Sequence, residues 1–548
     1  MNFLMTWLLT LVRWILDSCC HVYALIWWPS ARGRIPPFTE RLILKPAHEV
    51  ADLIRKGEVK AEDVVRAYIN RIKEVNPLIN AVVDERFDAA IADARKIDQE
   101  VESELGLLED ASFVTSMSSS PTSRRRMTEL PLLGIPFTCK DSFPIRGMIC
   151  SAGLPQKKDH RPDLDAQVIQ NMRDAGAIPL VVANVPEMLI WWTAENKSFG
   201  RTNNPYDLSC IAGGSSGGDC SLLSSGSAVV SVGSDIGGSI RIPCCMCGVF
   251  GHKTTPGIIP ADGKIPPLLP SRAPFFSMGP MVRFATDLKP MVKAMAGPAI
   301  SKLPLIDDPV DFSKVKVFYM MDDEDPLKTP VNWQVKQAIL KAVSHLNTQF
   351  KSPIQKVSFP DFRQTARIFL STMAEGGGDP MIQQISEGTG KQLNVYSEFA
   401  KSLIGLSPHT RHILMFSLVQ HCLPNKESKW VREGVGLGKR LKREVQQLLA
   451  SNAPGHSILI MPSYPDAVPK HGTTIPKNGN ISYFTILNLL ELPATQVPIG
   501  LDRDAGTPLG IQVATSPFHD HVSIAAAVQL EQLFGGWVPP APFLNHQN

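Results

Sequence analysis

Residues Gly213–Arg241 read GGSSGGDCSLLSSGSAVVSVGSDIGGSIR. Two clusters of glycine and serine bracket a run of small residues and valines. A short continuous apolar run such as Ala228–Val232 is what a strand buried on both faces requires. The glycine clusters beside it let the backbone enter conformations closed to other residues and approach a ligand closely. The second cluster, Asp235-Ile236-Gly237-Gly238-Ser239, has the composition of a loop whose amides converge on a developing negative oxygen, as an oxyanion hole requires. Ser239 would stand beside those donors, which is a sound arrangement for acyl transfer.

The pattern around this stretch is of the same class. Leu132–Cys139 and Ile178–Ala183 (IPLVVA) read as buried strands, with a helix over Ala166–Ala175 between them. Val315–Tyr319 and Ile458–Met461 continue the alternation of strand and helix, the pattern of an α/β sheet covered on both faces. Upstream, apolar residues at helical spacing between Ala47 and Val75 predict two helices split at Gly57-Glu58, and a third runs from about Phe87 to Leu105. Asp110–Glu129 is rich in serine and contains Arg124-Arg125-Arg126, and it reads as a solvated insert.

A serine hydroxyl is a weak nucleophile and needs a base. The histidines His160, His252, His471 and His519 have no evident partner in the sequence. Lys140 ends the apolar run Ile135–Cys139. Burial there disfavours the charged ammonium and would leave a fraction of the amine neutral, able to take a proton. An alternative assignment uses the G-x-S-x-G match Gly213–Ser215–Gly217, which would make Ser215 the nucleophile of a strand-to-helix elbow. It needs a downstream acid and histidine and leaves the second glycine cluster without a purpose. A phosphate loop is weaker still, because no lysine follows the glycines.

Taken in order, Lys140, GGSSGG at Gly213–Gly218 and DIGGSIR at Asp235–Arg241 resemble the amidase signature family. PLLGIPFTCKDSF, GRTNNPYD, GVFGHK and ELPATQVPIG extend the resemblance over most of the chain, and it leans toward the members that cleave fatty-acid amides. The resemblance implies an amidase-signature α/β fold, a large twisted mixed sheet with helices on both faces. It implies Ser239 as nucleophile, Ser215 as a bridging serine after a cis peptide bond, and Lys140 as base. The amides of Ile236, Gly237, Gly238 and Ser239 would form the oxyanion hole, with Ser216, Asp235 and Arg241 supporting the serines. Trp191 and Trp192 would border a channel for a long acyl chain. No metal or other cofactor is implied. The partners implied are a lipid amide substrate and a membrane, and a homodimer is allowed.

Composition sets outer limits. The 548 residues carry a formal net charge of only +3, from 55 basic and 52 acidic side chains, which makes no case for nucleic-acid binding by bulk charge. The 10 cysteines form no disulfide framework, and Cys244 to Cys247 lack the second ligand pair of a zinc site.

Residues 1–30 form a separate apolar segment ahead of a catalytic domain over 31–548. Arg13, Asp17 and His21 fall four apart and share one helical face. Trp7, Trp14, Trp27 and Trp28 suit headgroup depth. Two forms of anchor fit, a spanning helix with an internally neutralised Arg13–Asp17 pair, or an amphipathic helix in the interface. Attachment to the endoplasmic reticulum or a lipid droplet is the expectation that follows. Two other functions fit the same scaffold: a glutaminase-type amidotransferase subunit, and a catalytically silent lipid-amide carrier. The first gives the apolar segment no purpose. The second should have lost one of Lys140, Ser215 and Ser239, and all are present.

Overall fold

A computed structural model describes residues 3–111, 127–377, 381–387, 389–452 and 456–544. The centre is a mixed sheet. Its strands in chain order are β1 (Val82–Glu85), β2 (Pro136–Lys140), β3 (Ile178–Ala183), β6 (Val230–Asp235), β7 (Phe250–Lys253), β8 (Ser277–Val282), β9 (Lys316–Tyr319), β10 (Ile354–Lys356), β11 (Ser457–Pro462), β12 (Ala494–Leu501) and β13 (Pro508–Thr515); a separate hairpin supplies β4 (Glu195–Asn196) and β5 (Gly200–Arg201). The spatial order in the 11-stranded sheet is β1-β3-β2-β6-β8-β7-β12-β13-β11-β9-β10. Strand β2 runs parallel to both β3 and β6, β6 is antiparallel to β8, and β11 is parallel to β9.

Every residue of β2, β3, β6, β7, β8, β11 and β13 is buried. Successive side chains of a strand point to opposite faces, so both faces of this part of the sheet are covered. The strands read as continuous apolar runs for that reason. One connected set of buried apolar side chains extends from Ile35 to Ala541.

The helices expected upstream form at Ala47–Arg55, Ala61–Ile79 and Phe87–Ala111, the last running beyond Leu105. Two strand boundaries differ from expectation. Leu132–Gly134 is a turn, because the amides of Leu132 and Gly134 donate to the carbonyls of Ala175 and Gly176, just after the helix Gln167–Asp174. Strand β2 therefore begins at Pro136 and includes Lys140. The strand expected at Ala228 begins at Val230, since Ala228 donates to Leu222 and closes the turn after the helix Gly217–Ser224. The insert expected at 110–129 lies, over 112–126, outside the described residues.

The N-terminal segment is one helix, Phe3–Trp27. From Trp7 to Trp27 it is long and apolar enough to cross a membrane. One side lies against the body. Arg13 donates to the carbonyl of Lys328 at 3.2 Å, Tyr23 covers Gly472, and Trp28 meets His471 edge-on at 5.0 Å. The other side, including Trp7, Trp14, Ile15, Leu25, Ile26 and Trp27, is exposed.

Candidate active site

Lys140 closes β2, and Ser234 and Asp235 close the neighbouring parallel strand β6. The ends of both strands therefore open onto one cavity of about 300 Å³, lined by Lys140, Ser215, Ser234, Ile236 and Ser239 among others. The sequence places Ser215 and Ser239 on two loops, each running directly into a short helix, Gly217–Ser224 and Arg241–Met246. The loops are joined by a hydrogen bond from the Ser216 amide to the Ser239 carbonyl at 3.2 Å.

Lys140 Nζ lies 2.7 Å from Ser215 Oγ and 3.2 Å from Ser234 Oγ. Its side chain is buried. Burial, reinforced by the charge of Lys264, pulls the amine down to about 7. Ser215 is fully buried and follows a cis Gly214–Ser215 peptide bond. Ser239, by contrast, is partly exposed in the cavity, as are Ile236 and Gly237. Ser234 is a partner of Lys140 that sequence reading missed, and its only signal was its place beside Asp235 at the end of a buried strand.

Gly214 and Gly238 show what glycine allows in these loops. A side chain on Gly214 would come within 2.9 Å of the backbone of Trp192 and Thr193. Gly238 has φ of +117° and packs 2.6 Å from Ile242 and 2.7 Å from Phe484, measured from the position of an added Cβ.

The Asp235 carboxylate organises the second loop. It accepts from the Gly238 amide at 2.7 Å and the Ile240 amide at 3.2 Å, and it pairs with Arg241 at 3.0 Å with both side chains buried. Burial alone would push this carboxyl up. The Arg241 charge and hydrogen bonds, with Lys253 and Asn488, outweigh burial and bring it to about 2. Arg241 also donates to Gln512 at 2.7 Å, to Asn488 at 2.6 Å and to the Phe484 carbonyl at 3.0 Å.

This network corrects one expectation. The Gly238 amide is committed to Asp235, whereas the amides of Ile236, Gly237 and Ser239 have no acceptor among the described residues. Ser216 is fully buried with its hydroxyl unpartnered, and its backbone rather than its side chain ties the loops together.

Asp219, noted in the sequence only as following the glycines, lies beneath this loop. It accepts from Thr138 at 2.9 Å and from Ser231 at 2.5 Å, and burial raises it to about 6 against those bonds and the Lys140 charge.

Trp191 and Trp192 stand apart from the cavity lining. Trp192 is buried against Tyr464 and donates to Asn478 at 3.1 Å, and its backbone packs on Gly214. Trp191 stacks on His412 at 4.9 Å and donates to Thr474. Their indole N–H groups find polar partners at Thr474 and Asn478. The apolar lining comes instead from Leu154, Met188, Leu189, Ile190 and Met381, residues to which the sequence gave no special signal. Cys244, Cys245 and Cys247 are buried free thiols, and no group of residues among those described could hold a metal ion.

The model of the amidase family matches residues 114–523. Fatty-acid amide hydrolase 2-A of Danio rerio is 38% identical over 545 residues, covering 97% of this chain and 96% of that protein. Human fatty-acid amide hydrolase 2 is 36% identical over 521 residues, 94% of each chain. A solved structure of fatty acid amide hydrolase superposes with a TM-score of 0.69 at 18% identity, covering 91% of this chain and 86% of that one, a likeness of fold.

Proposed function

The chain belongs to the amidase signature family, and from that premise we propose that it is a membrane-associated serine amidase that hydrolyses fatty-acid amides. The observation that carries this reading is the 2.7 Å approach of a buried Lys140, drawn down to about 7, to Ser215 in the cavity that Ser239 also lines.

In this reading neutral Lys140 takes the proton of Ser215 as Ser215 takes that of Ser239, and Ser239 attacks the amide carbonyl. The amides of Ile236, Gly237 and Ser239, which have no acceptor among the described residues, hold the oxygen as its charge develops. Asp235 keeps the loop in that shape through its bonds to Gly238, Ile240 and Arg241. Ser215 then returns a proton to the departing nitrogen, so the amine leaves as a neutral molecule. Water enters by the same relay in reverse and releases the fatty acid. The apolar part of the cavity, Leu154, Met188, Leu189, Ile190 and Met381, would receive the acyl chain.

The N-terminal helix supports the membrane part of the reading. Its body-facing side is docked from Arg13 to Tyr23 and its other side presents exposed tryptophan and aliphatic side chains. A helix docked along its length with a free apolar face suits a position in the interface.

The test is release of fatty acid from oleamide by membranes carrying the wild-type chain, Ser239→Ala or Lys140→Ala. Each substitution is expected to lower kcat by roughly three orders of magnitude at equal expression. Equal turnover in all three would overturn the assignment and return Ser215 to the position of nucleophile.

A further inference from the structure

Gly237 and Gly238 share one trans peptide group, and both of its polar ends are held. The Gly238 amide donates to Asp235 at 2.7 Å. The Gly237 carbonyl accepts from the Thr485 hydroxyl at 3.0 Å. The carbonyl and N–H of a trans peptide point in opposite directions, so two such bonds fix its plane. The next peptide is fixed as well, because the Gly238 carbonyl accepts from the Ile242 amide at 2.6 Å, and the Ser239 N–H points the other way.

A peptide between two glycines rotates with little steric restraint. Packing restrains one end of it. Gly238 is covered by Ile242 and Phe484, whereas an added Cβ on Gly237 would meet only Thr485 Oγ1, at 3.8 Å, among the described residues beyond its chain neighbours. The Gly237 end is therefore held by the hydroxyl and not by close packing. Thr485 stands 248 positions along the chain, on the buried helix Ser482–Leu489. That helix grips the same loop twice more, through Phe484 against Gly238 and through Asn488, which donates to the Asp235 carboxylate at 2.9 Å. A helical threonine has a ready acceptor in the carbonyl four residues back. Here that is Ile481 at 3.3 Å, and the bond across to Gly237 is the shorter.

We propose that Thr485 is a positioning residue of the oxyanion loop: its hydroxyl locks the Gly237–Gly238 peptide and so aims the amides of Gly237 and Ser239 at the oxygen of the tetrahedral intermediate. This rests on the serine-amidase reading above. Thr485 acts through the loop and touches no reacting atom. Fixed donors aimed at developing charge bind the transition state more strongly than the substrate, so losing the lock falls on kcat and spares KM.

The experiment takes the full-length chain as wild type, Thr485→Val, Thr485→Ala and Thr485→Ser, with turnover referred to sites titrated by a fluorophosphonate. It reads kcat and KM for oleamide, and the inhibition constant of a long-chain alkyl trifluoromethyl ketone. The ketone carbon bonds to Ser239 Oγ, the Ser239 proton passes through Ser215 to Lys140, and the carbonyl oxygen becomes the oxyanion. In Thr485→Val and Thr485→Ala, kcat should fall about tenfold, the ketone should bind about tenfold more weakly, and KM should change less than about twofold. Thr485→Ser should restore most of both losses. The acid limb of the pH profile should stay in place in all four chains, since the base is untouched. Unchanged kcat and ketone affinity in Thr485→Val and Thr485→Ala would overturn the proposal and leave the hydroxyl to the Ile481 carbonyl. A loss in Thr485→Ser equal to that in Thr485→Val would also overturn it and assign the effect to packing. Either result leaves the amidase reading standing. A wild-type chain that neither turns over oleamide nor binds the ketone would remove that reading, and this proposal with it.

Discussion

In the proposed relay, Lys140 is the residue on which the chemistry turns. Its amine must be neutral to accept a proton, and with a value near 7 it is mostly charged below that pH. The expected pH profile of kcat/KM therefore has an acid limb near pH 7, rising tenfold per pH unit below it and levelling above. Lys264→Met should move that limb to higher pH, because the charge that opposes protonation of Lys140 is gone. A limb that stays in place in this variant would assign the depression to burial alone. Ser234→Ala removes the second hydroxyl at Lys140, 3.2 Å away. It should lower kcat about tenfold with KM unchanged, a loss matched to one hydrogen bond that orients a base.

The loop Asp235–Arg241 behaves as a unit held by one buried carboxylate. Asp235→Asn would leave the Arg241 charge buried without its counter-charge, and breaking such a pair costs about 3–5 kcal/mol. Urea denaturation of the variant should show that loss, and turnover should fall with it because Gly238 and Ile240 lose their anchor. Gly214→Ala should be as damaging, since its methyl group meets the Trp192–Thr193 backbone, which cannot give way as a side chain can. These elements were legible in advance where local composition determines them. Glycines beside serines announced the two loops, and unbroken apolar runs announced β3 and the buried part of β6. The strand edges at Pro136 and Val230 were not legible, because carbonyls outside the strands decide them, Ala175 far along the chain for the first and Leu222 in the preceding turn for the second. The same is true of Ser234, Lys264 and Arg272. Each is an ordinary polar residue in sequence: the pairing of β6 beside β2 brings Ser234 to the cavity, and the 264–276 segment brings Lys264 and Arg272. Trp191 and Trp192 show the converse. The family resemblance drew attention to them, while their partners at Thr474 and Asn478 lie far along the chain.

At the scale of the whole molecule, the exposed side of the N-terminal helix is expected to set partitioning between water and lipid. Trp14→Glu combined with Ile15→Glu and Ile26→Glu changes only exposed positions of that helix. The variant should shift from the floating to the unbound fraction in liposome flotation. Its contacts through Arg13, Tyr23 and Trp28 are left intact, so thermal stability should be unaltered. Equal flotation of variant and wild type would place membrane attachment elsewhere.

Arg241 stands two residues after the proposed nucleophile, yet it is gripped by Phe484, Asn488 and Gln512. During synthesis the ribosome must therefore deliver the chain as far as Gln512 before this guanidinium finds all its partners. A growing chain would display Lys140, Ser215 and Ser239 long before they can cooperate. Premature stop codons anywhere before Gln512 should accordingly yield inert products rather than weakened enzymes. In the proposed relay, the hydrolytic machinery is armed only once Gln512 is in place.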